Sequence, residues 1–303
     1  MSHDMICEKK ARNYMDILEK IKDNPYLKDV LKNVNDTVSF RTLLIGLGNA
    51  GSTVIEQMKN QDAGIKNYCS ADQKSLYEIS DMLTDTDLAV LVCGFDTDMC
   101  VDKIGSIALR AKRLGVLTLG LFITPSESDG EEPIKEARET IKDIKGVADA
   151  LVVIPKERIR SIPENEDLNH DELDTKTSKV LQTISKRIIQ MISDMEVDDA
   201  NFRDIRRVLN SKGIMYFGMG QAEGENKAAL ATAQAMNNYL AEGTLSGANS
   251  LILNVSGNIS LTDSTDIMDI FEKEIGRDAD VLYDLHVDKT AGDIIRVTVL
   301  AAA

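Results

Sequence analysis

The sequence predicts an α/β fold: a doubly wound parallel sheet, a long central helix and then a smaller α+β domain. Apolar strands alternate with amphipathic helices over residues 42–154, as in a parallel sheet covered by helices on both faces. Leucine, valine and isoleucine then recur at helical spacing over 172–197, which indicates one long helix. Beyond this helix the strands are spaced differently, and the last two, 280–286 and 294–301, are predicted to close as a hairpin.

These patterns divide the chain into three parts. Residues 1–40 carry two amphipathic helical stripes and are interpreted as an N-terminal helical extension, with a partner-binding arm as the alternative. Residues 41–198 form the doubly wound α/β domain, which includes the long helix 172–197. Residues 199–303 form the α+β C-terminal domain.

Composition limits the kind of partner. The formal net charge of −15 opposes binding to DNA, RNA or an anionic lipid surface. No apolar run reaches the roughly 20 residues that a membrane-spanning helix needs, and no secretory signal peptide is predicted. The four cysteines include no C-x-x-C pair, which indicates reduced thiols. The sequence therefore predicts a cytoplasmic protein with no nucleic-acid partner and no direct membrane insertion.

A glycine-rich turn follows the first predicted strand. Residues 46–51 read Gly-Leu-Gly-Asn-Ala-Gly, which fits the G-x-G-x-x-G pattern between a strand and a helix. Asp72 lies 21 residues beyond Gly51, near the position of a ribose-binding acid in dinucleotide-binding proteins. The alternative is that the glycines only permit a tight turn and close helix packing. The candidate nucleotide-binding residues in this region are Gly46, Gly48, Asn49, Ala50, Gly51 and Asp72.

A second candidate loop follows the buried strand predicted over 88–93. A strand, a loop and a helix in a parallel sheet aim backbone N–H groups at the space above the strand, where a phosphate would bind. The segment 96–102, which leads into a helix predicted from about Val101, carries three carboxylates where a phosphate site needs glycines. The candidate nucleotide-binding residues here are Gly94, Phe95, Asp96, Thr97 and Asp98.

Five blocks of sequence resemble the prokaryotic tubulin family, the FtsZ-like division GTPases, over about residues 41–301. They are TLLIGLGNAG, LAVLVCG with LGVLTLGLFITP, ADALVVIPKERI, FRDIRRVLNSKGIMYFGMGQAEGENKAALATAQAM, and GANSLILNVSGNISL with IIRVTVLA. The resemblance implies a tubulin/FtsZ-like fold whose first domain is of the nucleotide-binding type. It also implies a cytoskeletal or cell-division setting.

The departures from this family fall on the nucleotide site. The family's phosphate loop is nearly all glycine and threonine, whereas the segment 96–102 is acidic here. Ser178 and Lys179 stand at the positions that read the guanine base, and a lysine cannot accept hydrogen bonds from guanine. Glu132 falls where a basic phosphate or ribose contact is expected. The resemblance and its departures together predict weak or absent binding of GTP and GDP.

The segment that would enter a neighbouring subunit's site is also altered. The family carries an acidic pair there that orients the attacking water. Asn201 replaces the first acid, Asp204 keeps the second, and Asp199 stands where an asparagine is usual. Because an amide cannot serve as a base, these three candidate catalytic residues form a degenerate set.

The predicted function is that of an FtsZ/tubulin-like scaffold, co-polymer or regulator, whose partner is itself or a competent FtsZ-like protein. No cofactor is required by this prediction, and GTP or GDP with Mg²⁺ would bind only if the site still functions. One alternative is a weak, polymerising GTPase that uses its acidic loop to hold Mg²⁺. The other is a Rossmann-type dinucleotide binder. No set of protein metal ligands is predicted, and His170 is interpreted as a solvated surface histidine.

Overall fold

The computed structural model describes seven stretches of the chain. They are residues 41–60, 67–96, 98–194, 199–210, 213–237, 240–276 and 278–302. The predicted N-terminal extension, 1–40, lies outside them, and so does the predicted domain boundary at residue 198. No helix within the described stretches is long and apolar enough to cross a lipid bilayer.

Ten strands and nine helices lie within these stretches, with short 3₁₀ segments between some of them. The strands of the first sheet are β1 (Thr42–Leu47), β2 (Asn67–Ser70), β3 (Leu88–Cys93), β4 (Leu117–Thr124), β5 (Ala150–Pro155) and β6 (Gly213–Ile214). Those of the second sheet are β7 (Tyr216–Glu223), β8 (Ser250–Gly257), β9 (Asp280–Val287) and β10 (Ile294–Ala302). The helices are α1 (Gly48–Asn60), α2 (Leu76–Thr84), α3 (Asp98–Leu114), α4 (Glu131–Lys145), α5 (Lys156–Arg160), α6 (His170–Asp194), α7 (Asp199–Leu209), α8 (Lys227–Met236) and α9 (Leu261–Ile275).

The first sheet is parallel and carries helices on both faces, as predicted. Its strand order is β2-β1-β3-β4-β5-β6, and every neighbouring pair is parallel. Because side chains alternate along a strand, Leu44 and Val90 pack in the core with α1 and α6, whereas Leu43 and Leu91 pack in the core with α2, α3 and α4. Coverage of both faces explains why β1 and β3 are buried along their whole length and why β3 is an unbroken apolar run.

The long predicted helix is α6, which starts two residues before the predicted position. A capping box sets this start: the Glu172 N–H donates to Asn169 Oδ1 and the Asn169 N–H donates to Glu172 Oε2, both at 3.0 Å. With 25 residues the helix is about 37 Å long. The buried stripe that packs it against the sheet includes Leu181, Ile184, Ile188 and Ile192.

The second sheet has the order β7-β10-β8-β9. β10 runs antiparallel to both of its neighbours, whereas β9 runs parallel to β8. The prediction that the last two strands close as a hairpin is therefore wrong, because β8 lies between them. The helix α9 connects β8 to β9 and returns the chain to the end at which β8 began, so that β9 must run parallel to β8.

Residues 213–223 form two strands that lie in different sheets. β6 ends at Ile214 on the edge of the first sheet, and β7 begins at Tyr216 in the second. Gly220 lies within β7, which continues to Glu223. A Cβ on Gly220 would lie 2.0 Å from a backbone oxygen of α8, so this glycine permits close helix packing and not a turn.

Candidate functional site

The glycine-rich turn joins β1 to α1 at the carboxyl edge of the first sheet. Gly48 begins the helix with φ +71°, a conformation that glycine adopts without strain. A Cβ on Gly46 would lie 2.3 Å from the Gly51 carbonyl oxygen, and a Cβ on Gly51 would lie 2.4 Å from the Val92 carbonyl oxygen. The glycines at 46 and 51 thus allow the strands and α1 to approach closely, which is the packing role considered above. The turn leaves the N-terminal N–H groups of α1 facing outward from the sheet.

The carboxylate of Asp96 accepts hydrogen bonds from two of these N–H groups. The Asn49 N–H donates to Asp96 Oδ1 at 3.1 Å, and the Ala50 N–H donates to Asp96 Oδ2 at 2.8 Å. An anion at a helix N-terminus is stabilised both by the free N–H groups and by the helix dipole. An aspartate of the chain itself therefore lies where a helix N-terminus in an α/β sheet would otherwise hold a phosphate.

The residue before Asp96 anchors the loop. Phe95 has φ +51°, which is uncommon for a residue with a Cβ, and its side chain is buried. Its ring packs edge-on against Phe122 with 5.6 Å between the ring centroids, and its N–H donates to Cys93 Sγ at 3.3 Å. These contacts hold the backbone at residue 95 and direct the following carboxylate toward α1.

The acidic loop is shorter than predicted. α3 begins at Asp98 and not near Val101, so that Asp102 belongs to the helix. Thr97 lies outside the described residues, and so do the side chains of Asp98 and Asp102. Of the three carboxylates predicted to repel a phosphate, the structure describes the contacts of Asp96, which binds the N-terminus of α1.

A cavity of about 630 Å³ opens beside this contact, between α1, the end of β4 and the start of α6. The predicted site residues that line it are Asn49, Ala50, Gly94, Phe95, Asp96 and Ser178. The carboxylates that line it are Asp96, Asp129, Glu136 and Asp174, and the basic side chains are Lys156 and His170. Its lining is therefore acidic overall. Lys179 and Glu132 are exposed and do not belong to this lining.

Sequence reasoning missed an ion cluster in the wall of this cavity. Lys156 follows β5 and its side chain is only 8% exposed. Its Nζ lies 2.9 Å from Asp129 Oδ1 and 2.6 Å from Asp174 Oδ1. His170 Nε2 lies 3.7 Å from Asp129 and 3.8 Å from Asp174, so the predicted surface histidine is half exposed and faces both acids.

The opposite charges in this cluster shift the pKa values of Lys156 and Asp129 so that both groups stay ionised. Burial alone would lower the pKa of Lys156, but hydrogen bonds to Asp174 and Asp129 outweigh it, and the pKa is raised. Burial alone would raise the pKa of Asp129, but donors on Ser126 and Lys156 outweigh it, and the pKa is lowered. Both groups are therefore held in their charged forms.

The lowered pKa of Asp129 makes part of the stability dependent on pH. The stabilisation is present above the ordinary pKa of 3.8 and is lost as the pH falls through the lower pKa of the folded protein. Wild-type protein is expected to melt at a higher temperature than Asp129→Asn at neutral pH, with a difference that narrows below about pH 4. Thermal melts of both proteins from neutral to acidic pH measure the difference in melting temperature. A difference that does not change with pH would contradict the expectation.

Asp72 lies apart from the cavity. Its Oδ2 accepts a hydrogen bond from the Ser52 hydroxyl at 3.2 Å, and that hydroxyl is 2.8 Å from the hydroxyl of Ser70. Its Oδ1 is buried and has no hydrogen-bond partner among the described residues. The predicted ribose-binding acid is thus directed at the flank of α1 and not at the cavity that Asp96 borders.

The predicted catalytic residues lie on α7. Asp204 is 3.3 Å from Arg207, which also pairs with Asp280 at 2.6 Å. The side chains of Asp199 and Asn201 lie outside the described residues, so their role stays a prediction. No group of three or more His, Cys, Asp or Glu side chains in the described stretches could hold a metal ion.

Comparison with known proteins identifies the fold. A model of the FtsZ family, C-terminal domain, matches residues 213–303. The solved structure of an empty FtsZ dimer from M. jannaschii superposes with a TM-score of 0.79 and 20% identity, covering 92% of each chain. CetZ2 from Haloferax volcanii, a GTPγS-bound protofilament, superposes with a TM-score of 0.68 and 15% identity, covering 87% of this chain and 93% of CetZ2. The chain therefore has an FtsZ/tubulin-like fold.

Curated relatives have low identity to this chain. Cell division protein FtsZ of Mycoplasmopsis pulmonis is 26% identical over 238 residues, which are 76% of this chain and 59% of the relative. Cell division protein FtsZ 1 of Thermococcus kodakarensis is 25% identical over 228 residues, which are 75% of this chain and 61% of the relative. The chain thus matches less than two thirds of the length of these two relatives.

Proposed function

We propose that this chain is a cytoplasmic, FtsZ-like cell-division or cytoskeletal protein that binds GTP and GDP weakly or not at all. It acts as a scaffold, co-polymer or regulator, and not as a nucleotide-driven polymer. The cell-division setting is supported by the names of its relatives, which are cell division proteins FtsZ. The weakened nucleotide site is supported by the contacts of Asp96.

The observation that carries this proposal is the pair of hydrogen bonds from Asn49 and Ala50 to Asp96. A nucleotide phosphate at the N-terminus of α1 would have to displace this carboxylate from both N–H groups. Two like charges 4 Å apart repel by about 1 kcal/mol in water and about 4 kcal/mol at an effective dielectric constant of 20. The loss of two charge-assisted hydrogen bonds adds to this repulsion.

The balance of charge in the cavity also supports weak binding. Lys156 is the more buried of its two basic side chains, and both acids that pair with it lie in the same wall. A phosphate that bound Lys156 would compete with Asp129 and Asp174 and would bring further negative charge beside them. The charge of Lys156 is therefore already balanced by Asp129 and Asp174, and it is not available to neutralise a ligand.

Titration calorimetry with GTP and Mg²⁺ tests the proposal directly. We expect no saturable heat at micromolar nucleotide, and we expect nucleotide analysis of the purified protein to release no stoichiometric GTP or GDP. A dissociation constant in the micromolar range or tighter, or one equivalent of co-purified nucleotide, would contradict the proposal and favour the weak GTPase.

The proposed partner is a further copy of the chain or a competent FtsZ-like protein. If nucleotide does not bind, any self-association is expected to be independent of it. Sedimentation of the protein alone, with GTP and Mg²⁺, and with GDP should then give the same pelleted fraction. Pelleting that requires GTP and reverses as GTP is consumed would contradict this expectation. A mixture with an active FtsZ in the same assay measures co-assembly.

A further inference from the structure

A second groove lies between α2 and α3, on the face of the first sheet opposite α1 and α6. It has a volume of about 280 Å³ and shares no lining residue with the cavity beside Asp96. Its apolar lining consists of Leu76, Ile79, Leu83, Ile107 and Leu109. Ser80, Ser106, Arg110 and Arg113 complete the lining, which contains no carboxylate. We call this feature the α2–α3 groove.

Apolar side chains are unusually exposed around the α2–α3 groove. Leu76 is 46% exposed and Leu109 is 41% exposed, and both line it. Tyr77, 76% exposed, follows Leu76 on α2, and Leu114, 37% exposed, ends α3. Single exposed leucines are ordinary on a protein surface, but two exposed leucines that line one groove, with further exposed apolar side chains on the same two helices, are typical of a binding site.

The two arginines of the α2–α3 groove give it a positive charge in a chain whose net charge is −15. The Arg110 Nε–H donates to the Ser80 hydroxyl at 2.6 Å, which holds the guanidinium across the groove. Within the described stretches neither Arg110 nor Arg113 forms an ion pair with a carboxylate. Both guanidinium groups therefore keep donors for an acidic partner.

We propose that the α2–α3 groove binds an amphipathic helix of a protein partner. The apolar face of that helix lies between Leu76 and Leu109, and its Asp or Glu side chains pair with Arg110 and Arg113. A helix in a groove is a common mode of peptide recognition. α2 has nine residues and is about 14 Å long, so the groove accommodates between two and three turns of a partner helix.

Other occupants fit less well. A second copy bound about a two-fold axis would place the arginines of one groove against those of the other, which like-charge repulsion opposes. An anionic membrane would be attracted by two arginines but repelled by the rest of a chain with net charge −15. The concave shape also matches a helix better than a flat surface.

The test is a selection from a display library of helical peptides with randomised surface positions, against the folded chain. We expect enriched peptides to carry apolar residues at helical spacing, flanked by Asp or Glu. One enriched peptide is labelled, and its affinity is measured by fluorescence polarisation. Leu109→Ser and Arg113→Glu are each expected to weaken binding tenfold or more. Leu230→Ser, which removes a leucine 51% exposed on α8, is the matched control and should leave affinity unchanged.

A charge exchange sharpens the test. Replacing the acidic residues of the peptide by lysine should restore binding to Arg113→Glu and weaken binding to the parent chain. Equal thermal transitions of parent and variants establish that the fold is intact. Failure to enrich acidic and apolar peptides would overturn the proposal, and so would affinities that do not respond to the groove variants.

Two further results would assign the groove to another occupant and so overturn the proposal. One is binding to phosphatidylserine-containing vesicles that Arg113→Glu abolishes, with no peptide enriched. The other is concentration-dependent self-association, measured by sedimentation equilibrium, that Leu109→Ser abolishes and Leu230→Ser does not.

Discussion

Replacing Asp96 with glycine is expected to raise the affinity for GTP at least tenfold. The change frees the N–H groups of Asn49 and Ala50, which the carboxylate now occupies at 3.1 and 2.8 Å, and removes one negative charge from the cavity. A hydrogen bond to a charged group contributes roughly 1.5–3 kcal/mol, and a tenfold gain in affinity needs about 1.4 kcal/mol. Calorimetric titration of parent and variant with GTP and Mg²⁺ measures the gain.

The control for Asp96→Gly is Glu136→Gln. Glu136 lines the same cavity and also carries one negative charge, but it does not bind the N-terminus of α1. If occupation of the N–H groups is what excludes phosphate, the gain should be confined to Asp96→Gly. An equal gain in both variants would attribute the weak binding to overall charge. No gain in a folded Asp96→Gly protein would show that this contact is not the obstacle.

Thermal stability gives a second measurement on the same variant. Without nucleotide, Asp96→Gly is expected to lose about 1 kcal/mol, because the carboxylate no longer caps α1. A ligand that binds only the folded state stabilises it in proportion to the logarithm of its concentration. GTP should therefore raise the melting temperature of the variant but not that of the parent. ATP should act similarly, because Ser178 and Lys179 are poorly suited to read guanine.

The first sheet was predictable because its signals are local. A strand covered on both faces must be apolar at every position, and the segment 88–93 shows this in the sequence alone. The start of α2 is equally local, since Ser75 and Glu78 form a capping box within four residues. Alternation of such strands and helices leaves few arrangements other than a doubly wound sheet.

The second sheet was harder to predict because its pairing depends on contacts distant in sequence. β9 and β10 are consecutive strands, and consecutive strands often pair. Here β10 lies between β7 and β8. The side chains of Val297 and Val299 are buried in the hydrophobic core that the second sheet forms with α8 and α9. The apolar alternation of β10 is the same whichever strand lies beside it, so its position in the sheet could not be read from the pattern.

The sequence predicts a candidate site after β3, but it does not predict the contacts that these residues make. The acidic segment after β3 was expected to repel a phosphate, whereas the structure gives Asp96 a partner inside the chain. Phe95, whose positive φ directs that carboxylate, carries no sequence signal for such a backbone conformation. Lys156 and Asp129 follow neighbouring parallel strands, so the rule that carboxyl ends meet at one edge could have found this pair.

Replacing the buried Lys156 with methionine is expected to destabilise the fold by about 2 kcal/mol. The change leaves Asp129, 16% exposed, without its ammonium partner at 2.9 Å, while His170 lies farther away at 3.7 Å. Asp174 is 50% exposed, so water compensates much of its loss, and the cost stays below that of a fully buried pair. In a chain of this size the melting temperature should fall by about 4–8 °C.

A double variant separates the ion pair from simple packing. Methionine fills the space of the lysine stem, so most of the cost of Lys156→Met should come from the unpaired carboxylate of Asp129. Asp129→Asn in the same chain removes that charge, and the double variant should therefore be more stable than the sum of the two single changes predicts. Denaturant unfolding of the four proteins gives the coupling energy. Additive losses would mean that Lys156 and Asp129 stabilise the fold independently and that the cluster does not act as a unit.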